Sequence, residues 1–321
     1  MKNIAVLGST GSIGLNTLKV VDSLSEKFKI VGLAAGRNLD LLKQQILKYR
    51  PDVVSVERAE DAQELIEALG KKTPRIYYGQ EGAEEVSKYA KNDIVVSAIT
   101  GINGLRPTLA AVGSGKRIAI ANKEAMVTAG HLVRKTAAES GAEIIPIDSE
   151  HSGIFQCLAK EDIRNVKKVI LTASGGPFFN STLEEMKEKT PEEALNHPRW
   201  EMGKKVSIDS ASFMNKGLEL IEAKWLFDLE PEQLDILVHP QSVVHSLIEL
   251  HDGSILAQLS QTDMKIPIQY ALTYPAREDG LLPSLDLGEI KALEFYKVDT
   301  DKFSLIKLAR QALKEGGSFS V

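Results

Sequence analysis

The stretch KNIAVLGSTGSIG, residues 2–14, decides the fold: an apolar strand runs into glycines at 8, 11 and 14 and then opens a helix. Glycine lets the backbone turn tightly and approach a pyrophosphate, which rests on the amides of the following helix N-terminus. The spacing is G-x-x-G-x-x-G rather than the commoner G-x-G-x-x-G, with the same mechanics. A glycine triplet alone also fits an ordinary tight turn. Its position, at the first strand-to-helix junction of a long βα array, favours a dinucleotide site.

That array continues to residue 149. Strands read at KIVGLA (29–34), DVVSV (52–56), RIYYG (75–79), DIVVSAI (93–99), RIAIA (117–121) and EIIPI (143–147). Amphipathic helices such as LDLLKQQILKYR (39–50) and AMVTAGHLVRKTAAES (125–140) lie between them. This alternation predicts a doubly wound, Rossmann-like parallel sheet over residues 1–149. The second strand ends in AAGRNLD (34–40), where an NAD site would carry an acid for the ribose hydroxyls. Gly36, Arg37 and Asn38 stand there instead, and a cation at that point suits the 2′-phosphate of NADP. A solvated surface arginine is the plainer alternative.

Beyond Glu150 the rhythm changes. A helix (GIFQCLAK, 153–160) and a strand (VKKVILTAS, 166–174) lead through loops to a helix (NKGLELIEAKWLF, 215–227). Strands follow at LDILVHP (234–240), SVVHSLIEL (242–250) and SILAQLSQ (254–261), with Asp252-Gly253 suited to a hairpin turn between the last two. Residues 150–273 are therefore predicted as an α+β domain with a mostly antiparallel sheet. Residues 274–299 read as a linker, and 300–321 as the start of a further helical segment.

Composition narrows the function. The net charge of −5 and the absence of a Lys/Arg stripe argue against nucleic-acid partners. One cysteine, Cys157, excludes an internal disulfide framework and fits a reducing cytoplasm. The first strand follows directly on Met1, leaving no room for a signal or transit peptide, and no apolar run is long enough for a membrane span. A cytoplasmic location is expected.

Candidate chemistry gathers in four places. EIIPIDSEHSG (143–153) brings Asp148 and Glu150 to what reads as the end of a strand, where alternation would set both on one side. Like charges that close invite a hard cation such as Mg²⁺ or Mn²⁺, although Asp148 or Ser149 could instead cap a helix. On the helix at 215–227, with its apolar stripe of Leu218, Ile221 and Trp225, Asn215 and Glu219 are i,i+4 neighbours. Glu219 could supply a third carboxylate; on spacing alone Glu222 competes. DSASFMNKG (209–217) offers Ser210, Asn215 and Lys216 to a phosphate, and TASGGPF (172–178) offers Ser174 beside two flexible glycines. HPRWEMG (197–203) reads either as a lid that closes over substrate or as a loop with a core tryptophan.

GSTGSIG, ANKE (121–124), IPIDSEHS, TASGGPF, HPRWEMG and DSASFMNKGLELIEA together resemble, in order, the 1-deoxy-D-xylulose 5-phosphate reductoisomerase family. The resemblance implies NADPH-dependent conversion of that phosphosugar to 2-C-methyl-D-erythritol 4-phosphate, by retroaldol–aldol isomerisation and then hydride reduction. It implies NADPH contacts at Gly8, Thr10, Gly11, Ser12, Ile13, Gly36, Arg37, Asn38, Asn122, Lys123 and Glu124. A divalent metal, Mg²⁺ or Mn²⁺, would sit on Asp148, Glu150 and Glu219, which settles Glu219 over Glu222. Substrate would meet Lys123, Ser149, Glu150, Ser174, His197, Ser210, Asn215, Lys216 and Glu219, with Trp200 and Met202 on a mobile flap and with catalytic roles on Lys123, His197 and the three carboxylates. A homodimer through the antiparallel sheet is implied too. The family's C-terminal helical domain is expected to be largely missing from this chain. Two rival readings remain: a metal-independent NADP-dependent dehydrogenase using Lys123, and an inactive nucleotide-binding fragment.

Overall fold

A computed structural model describes residues 1–196 and 203–316. The chain divides into two compact units that are not contiguous in sequence. The first holds residues 1–125, 131–148 and 264–281; the second holds 126–130, 149–263 and 282–321. The linear division at 149 and 273 therefore differs from the packing: a helix beyond 263 returns to the first unit, and short elements occupy the expected linker.

In the first unit, strands β1 (Lys2–Leu7), β2 (Phe28–Ala34), β3 (Val53–Val56), β4 (Arg75–Tyr78), β5 (Ile94–Ser97), β6 (Arg117–Ile120) and β7 (Glu143–Pro146) form one parallel sheet. Its order is β4-β3-β2-β1-β5-β6-β7. Helices α1 (Ser12–Ser23), α2 (Leu39–Tyr49), α3 (Ala59–Leu69), α4 (Gly79–Lys88), α5 (Leu105–Gly113) and α6 (Lys123–Ser140) make the crossovers. Parallel strands covered on both faces need apolar side chains on both, so Ile4, Leu7, Leu33, Ile94, Ile118, Ile120 and Ile145 are all fully buried. The strand order reverses between β1 and β5, the switch point where open α/β sheets bind ligands beyond their strand C-termini.

Helix α6 is not regular. Ala129 leaves helical geometry at φ −139°, ψ 29°, and residues 126–130 pack with the second unit. There Gly130 lies against Trp225 so tightly that a Cβ would fall 2.3 Å from its ring atoms, and only glycine fits.

The second unit begins with α7 (Ser149–Leu158) and adds β8 (Val166–Ala173), α8 (Leu183–Lys187), α9 (Pro191–Leu195), α10 (Lys204–Ala211) and α11 (Met214–Phe227). Strands β9 (Leu234–Val238), β10 (Val244–Leu250) and β11 (Ile255–Leu259) follow. Helix α12 (Lys265–Thr273) then rejoins the first unit by packing on α1. The helix α13 (Leu287–Ile290), strand β12 (Tyr296–Lys297) and helix α14 (Leu305–Lys314) complete the second unit. Its sheet runs β11-β10-β8-β9-β12, antiparallel except for β8 against β9, so the mostly antiparallel expectation holds. The core of Ile154, Leu171, Phe213, Leu220, Ile221, Ile236, Ile248, Phe303 and Ile306 packs α11 between this sheet and α14. At the α11–α14 crossing, a Cβ on Gly217 would sit 2.9 Å from Ala309 Cβ.

Two local expectations are corrected here. β7 ends at Pro146, Ile147 N makes one further bond to Ile120 O at 2.8 Å, and α7 starts at Ser149. Glu150 therefore lies in the first turn of a helix, and strand alternation does not relate it to Asp148. Residues 204–211, read as loop, form α10. Among the described residues no helix is long and apolar enough to cross a membrane.

Candidate active site

The glycine turn is held from beneath. Gly8 and Ser9 donate their backbone N–H groups to Ala34 O at 2.8 and 2.9 Å, and Gln45 Nε2 donates to Ser9 O at 3.0 Å. Gly8 has φ +88°, and a Cβ on it would meet Ala98 O at 2.5 Å. A Cβ on Gly14 would lie 2.3 Å from Gly8 O and 2.6 Å from Ser9 Cα. Both glycines are thus demanded by the protein's own backbone. Gly11 is different: its φ is −82°, and a Cβ there would touch only Gly8 O, at 3.4 Å. Among the described residues nothing else fills that space, and Gly11 begins α1 without a side-chain cap. A helix start left open beside a bare backbone is a cradle for phosphate oxygens.

At the end of β2, Asn38 Oδ1 accepts from Leu41 N at 3.2 Å and caps α2. Arg37 is 84% exposed and pairs through Nε with Glu57 Oε2 at 3.2 Å. At the start of α6, Asn122 is buried; its Oδ1 accepts from Ala125 N at 2.7 Å and its Nδ2 donates to Ile99 O and to Gly101 O at 2.9 Å. Asn122 thus ties the loop after β5 to the helix that bears Lys123 and Glu124. Lys123 Nζ pairs with Asp148 Oδ2 at 3.2 Å within the first unit.

The second unit builds a carboxylate cluster on two helices. The Lys216 ammonium donates to Glu150 Oε1 at 2.9 Å and also to Glu219 Oε2, so one cation already bridges two acids. Lys216 and Glu219 are buried, at 4% and 1% exposure. Asn215 Nδ2 donates to Glu219 Oε1, which realises the i,i+4 pairing on α11. Ser149 Oγ donates to Glu150 Oε2 at 2.5 Å. Glu222, the competitor by spacing, faces His151, whose Nδ1 lies 3.5 Å from Glu222 Oε2. His151 in turn meets Glu219 O through Nε2 at 3.0 Å, fixing α7 to α11. Ser246 Oγ donates to Glu150 O at 2.8 Å from β10. Sequence reasoning missed these three contacts; for two of them His151, inside the SEHS run, carried the local signal.

The donor loops also meet. Gly176, at φ +65°, brings the loop after β8 against the end of α10, where a Cβ would lie 2.6 Å from Ser210 O. Ser174 and Gly176 also line a cleft of about 610 Å³ with Phe178, Lys189 and Asn196. Phe213, in the left-handed region at φ +62°, makes the corner from which α11 starts and packs against Phe303, tilted, at 4.1 Å between ring centroids. Burial holds His245 on β10 down to about 4, with the Lys216 charge acting the same way against contacts to the Ser260 and Gln261 backbone. His197, Trp200 and Met202, and with them the expected flap, lie outside the described residues.

Residues 4–130 match the family described as 1-deoxy-D-xylulose 5-phosphate reductoisomerase, and residues 144–227 and 259–321 match its two C-terminal domain descriptions. A protein of that name from Protochlamydia amoebophila is 50% identical over 99% of this chain and 82% of its own length. The one from Shouchella clausii is 50% identical over 100% of this chain and 84% of its own. Among solved structures, a DOX-P reductoisomerase in complex with NADPH, fosmidomycin and magnesium superposes with a TM-score of 0.94 at 43% identity, over 99% of this chain and 80% of that one. The Zymomonas mobilis enzyme with NADPH gives 0.93 at 39% identity, over 99% and 83%. The chain belongs to the 1-deoxy-D-xylulose 5-phosphate reductoisomerase family.

Proposed function

We infer that this protein converts 1-deoxy-D-xylulose 5-phosphate to 2-C-methyl-D-erythritol 4-phosphate with NADPH and a divalent metal, a step in isoprenoid precursor synthesis. The observation that carries the site assignment is the cation position between Glu150 and Glu219, now taken by Lys216. Asp148 stands two residues before Glu150, and the three oxygens-bearing side chains suit Mg²⁺ or Mn²⁺, which prefer carboxylate ligands. The ion supplies Lewis acidity for the enolate formed as the carbon–carbon bond shifts, and NADPH supplies the hydride that reduces the branched aldehyde.

The chain's own residues do the rest. Ser174, Ser210 and Asn215 offer hydroxyl and amide donors to the substrate phosphate, and Lys216 an ammonium. Lys216 holds oxygens of Glu150 and Glu219 that would also hold a divalent ion, and with the ion bound its ammonium would be available to the substrate. Lys123 and Ser149 stand beside Asp148 and Glu150 and can orient substrate hydroxyls. The open Gly11 cradle suits the NADPH pyrophosphate. Contacts of NADPH with Thr10, Ser12, Ile13, Gly36, Arg37, Asn38, Asn122 and Glu124, and of substrate with His197, Trp200 and Met202, rest on the matching motifs.

We also propose a cytoplasmic homodimer. The edge strand β11 supports the dimer, since it presents Ile255 and Leu256 at 55% and 38% exposure. Light scattering should return twice the chain mass.

Glu219→Gln tests the metal assignment, because it keeps volume and helix propensity while removing one charge. Mn²⁺ affinity and substrate-dependent NADPH oxidation should each fall by about 10²-fold or more, with NADPH binding unchanged. Turnover that persists in EDTA would favour the metal-independent dehydrogenase; NADPH binding with no turnover in the parent would favour an inactive nucleotide-binding protein.

A further inference from the structure

β2 and β3 leave the sheet side by side. Their register pairs Ala34 with Ser55, and Arg37 and Arg58 each follow three residues later on adjacent parallel chains. Neighbouring strands lie about 4.8 Å apart, so the two guanidinium groups rise from one edge of the cofactor side of the sheet. They are not equivalent. Arg37 is spoken for by Glu57, a partly exposed acid that must be exchanged for any incoming phosphate. Arg58 is held by Asp61, one turn into α3, through a fork: Nε donates to Oδ2 at 3.1 Å and Nη2 to Oδ1 at 2.6 Å. Asp61 is 2% exposed, whereas the Arg58 side chain is 64% exposed.

A buried carboxylate gripping one edge of an exposed guanidinium leaves Nη1 and the second Nη2 proton directed elsewhere. Such a group is oriented before any ligand arrives, and less side-chain freedom is lost on binding. The hydrogen bond from Arg58 is the main cause that holds the Asp61 carboxyl below its usual range, and the Arg37 charge acts on it in the same direction. The two arginines therefore share one electrostatic neighbourhood.

We propose that Arg58 is a second anchor for the 2′-phosphate of NADPH, and that Asp61 is its positioning residue. This deepens, and rests on, the reading of the protein as NADPH-dependent. Arg37 meets the phosphate after releasing Glu57, and Arg58 meets it with no exchange of partner. Glu57, between them in sequence, is the acid that must leave Arg37 for the phosphate to bind.

The test uses fragments that need neither metal nor substrate: 2′,5′-ADP and 5′-AMP, titrated calorimetrically into the whole protein. Arg58→Gln should weaken 2′,5′-ADP by about tenfold and leave 5′-AMP within about twofold. In an Asp61→Asn background the same change should cost less than about threefold, because the unheld guanidinium no longer starts in place. Should Gln weaken the fold by stranding Asp61, Arg58→Lys keeps the charge pair and loses only the fork, and 2′,5′-ADP should still weaken by about threefold. An unchanged ratio of the two affinities in the Arg58 variants overturns the anchor. Equal losses in both backgrounds overturn the role of Asp61. A parent protein that does not prefer 2′,5′-ADP over 5′-AMP would instead overturn the NADPH reading beneath both.

Discussion

Replacing the three glycines of the first turn by alanine one at a time should separate folding from cofactor binding. At Gly14 the added methyl would lie 2.3 Å from Gly8 O and 2.6 Å from Ser9 Cα, where only backbone could give way. Overpacking of that kind costs about 1–3 kcal/mol and sometimes more. At Gly8 a contact of 2.5 Å to Ala98 O adds to a φ of +88°, so the left-handed strain of about 1–2 kcal/mol comes on top of the clash. At Gly11 the φ of −82° is ordinary for alanine and its one contact is 3.4 Å. Gly11→Ala should hold its melting temperature or raise it, since alanine narrows the unfolded ensemble by about 0.4–1 kcal/mol. Its methyl would nevertheless occupy the place where a pyrophosphate must approach, and NADPH affinity should fall by about 100-fold, roughly 2.7 kcal/mol. Thermal unfolding followed beside an NADPH fluorescence titration reads both quantities. A Gly11→Ala protein that melts as low as Gly14→Ala, or that binds NADPH like the parent, would refute the division of labour among these glycines.

Two further outcomes follow from buried titratable groups. The single thiol, Cys157, is pushed up to about 11 by burial, so it should resist alkylation at pH 8 in the native protein and react at once in denaturant; fast native labelling would contradict its placement. His245 is held neutral down to about pH 4 and titrates near 6.5 when unfolded, so the unfolded chain binds the extra proton first. Its contribution to stability is whole above about pH 6.5 and is lost progressively toward pH 4, about 3 kcal/mol in all. His245→Gln should flatten the acid side of the stability profile, and an unaltered slope would show that other groups set it.

The seven parallel strands were legible because a strand covered on both faces has to be apolar at nearly every position. Runs such as IVV (94–96) and IAI (118–120) have no amphipathic reading to compete. The rest was harder for identifiable reasons. KKVSI (204–208) alternates like a strand, yet it is the first part of α10. Pro267 sits in the first turn of α12, where a helix tolerates it, although a proline inside an apolar run is weak evidence for a helix in sequence. Glu219 and Glu222 are equally buried and three residues apart. Their partners differ: Lys216, one turn back on the same helix, holds Glu219, whereas His151 faces Glu222 from α7, and only the second pairing comes from tertiary packing. Asp148 and Glu150 stand out by their spacing, but strand alternation does not relate them, because the strand ends at Pro146 and a helix starts at Ser149.

The threading of the chain carries a consequence for how the protein is made. The nucleotide-binding sheet is complete at Pro146, but α1 acquires its α12 neighbour only after residue 264 has been synthesised. Tyr274 O, which receives the Arg117 Nη1 bond at 2.6 Å, and Glu278, which receives Lys27 at 2.5 Å, arrive later still. On the ribosome the first unit must therefore wait, with one helical face uncovered, while more than a hundred residues of the second emerge. A gene fragment cut after Asp148 would preserve every strand of the sheet and still leave that face to aggregation, and recovering an independent nucleotide-binding module would require grafting residues 264–281 back onto it.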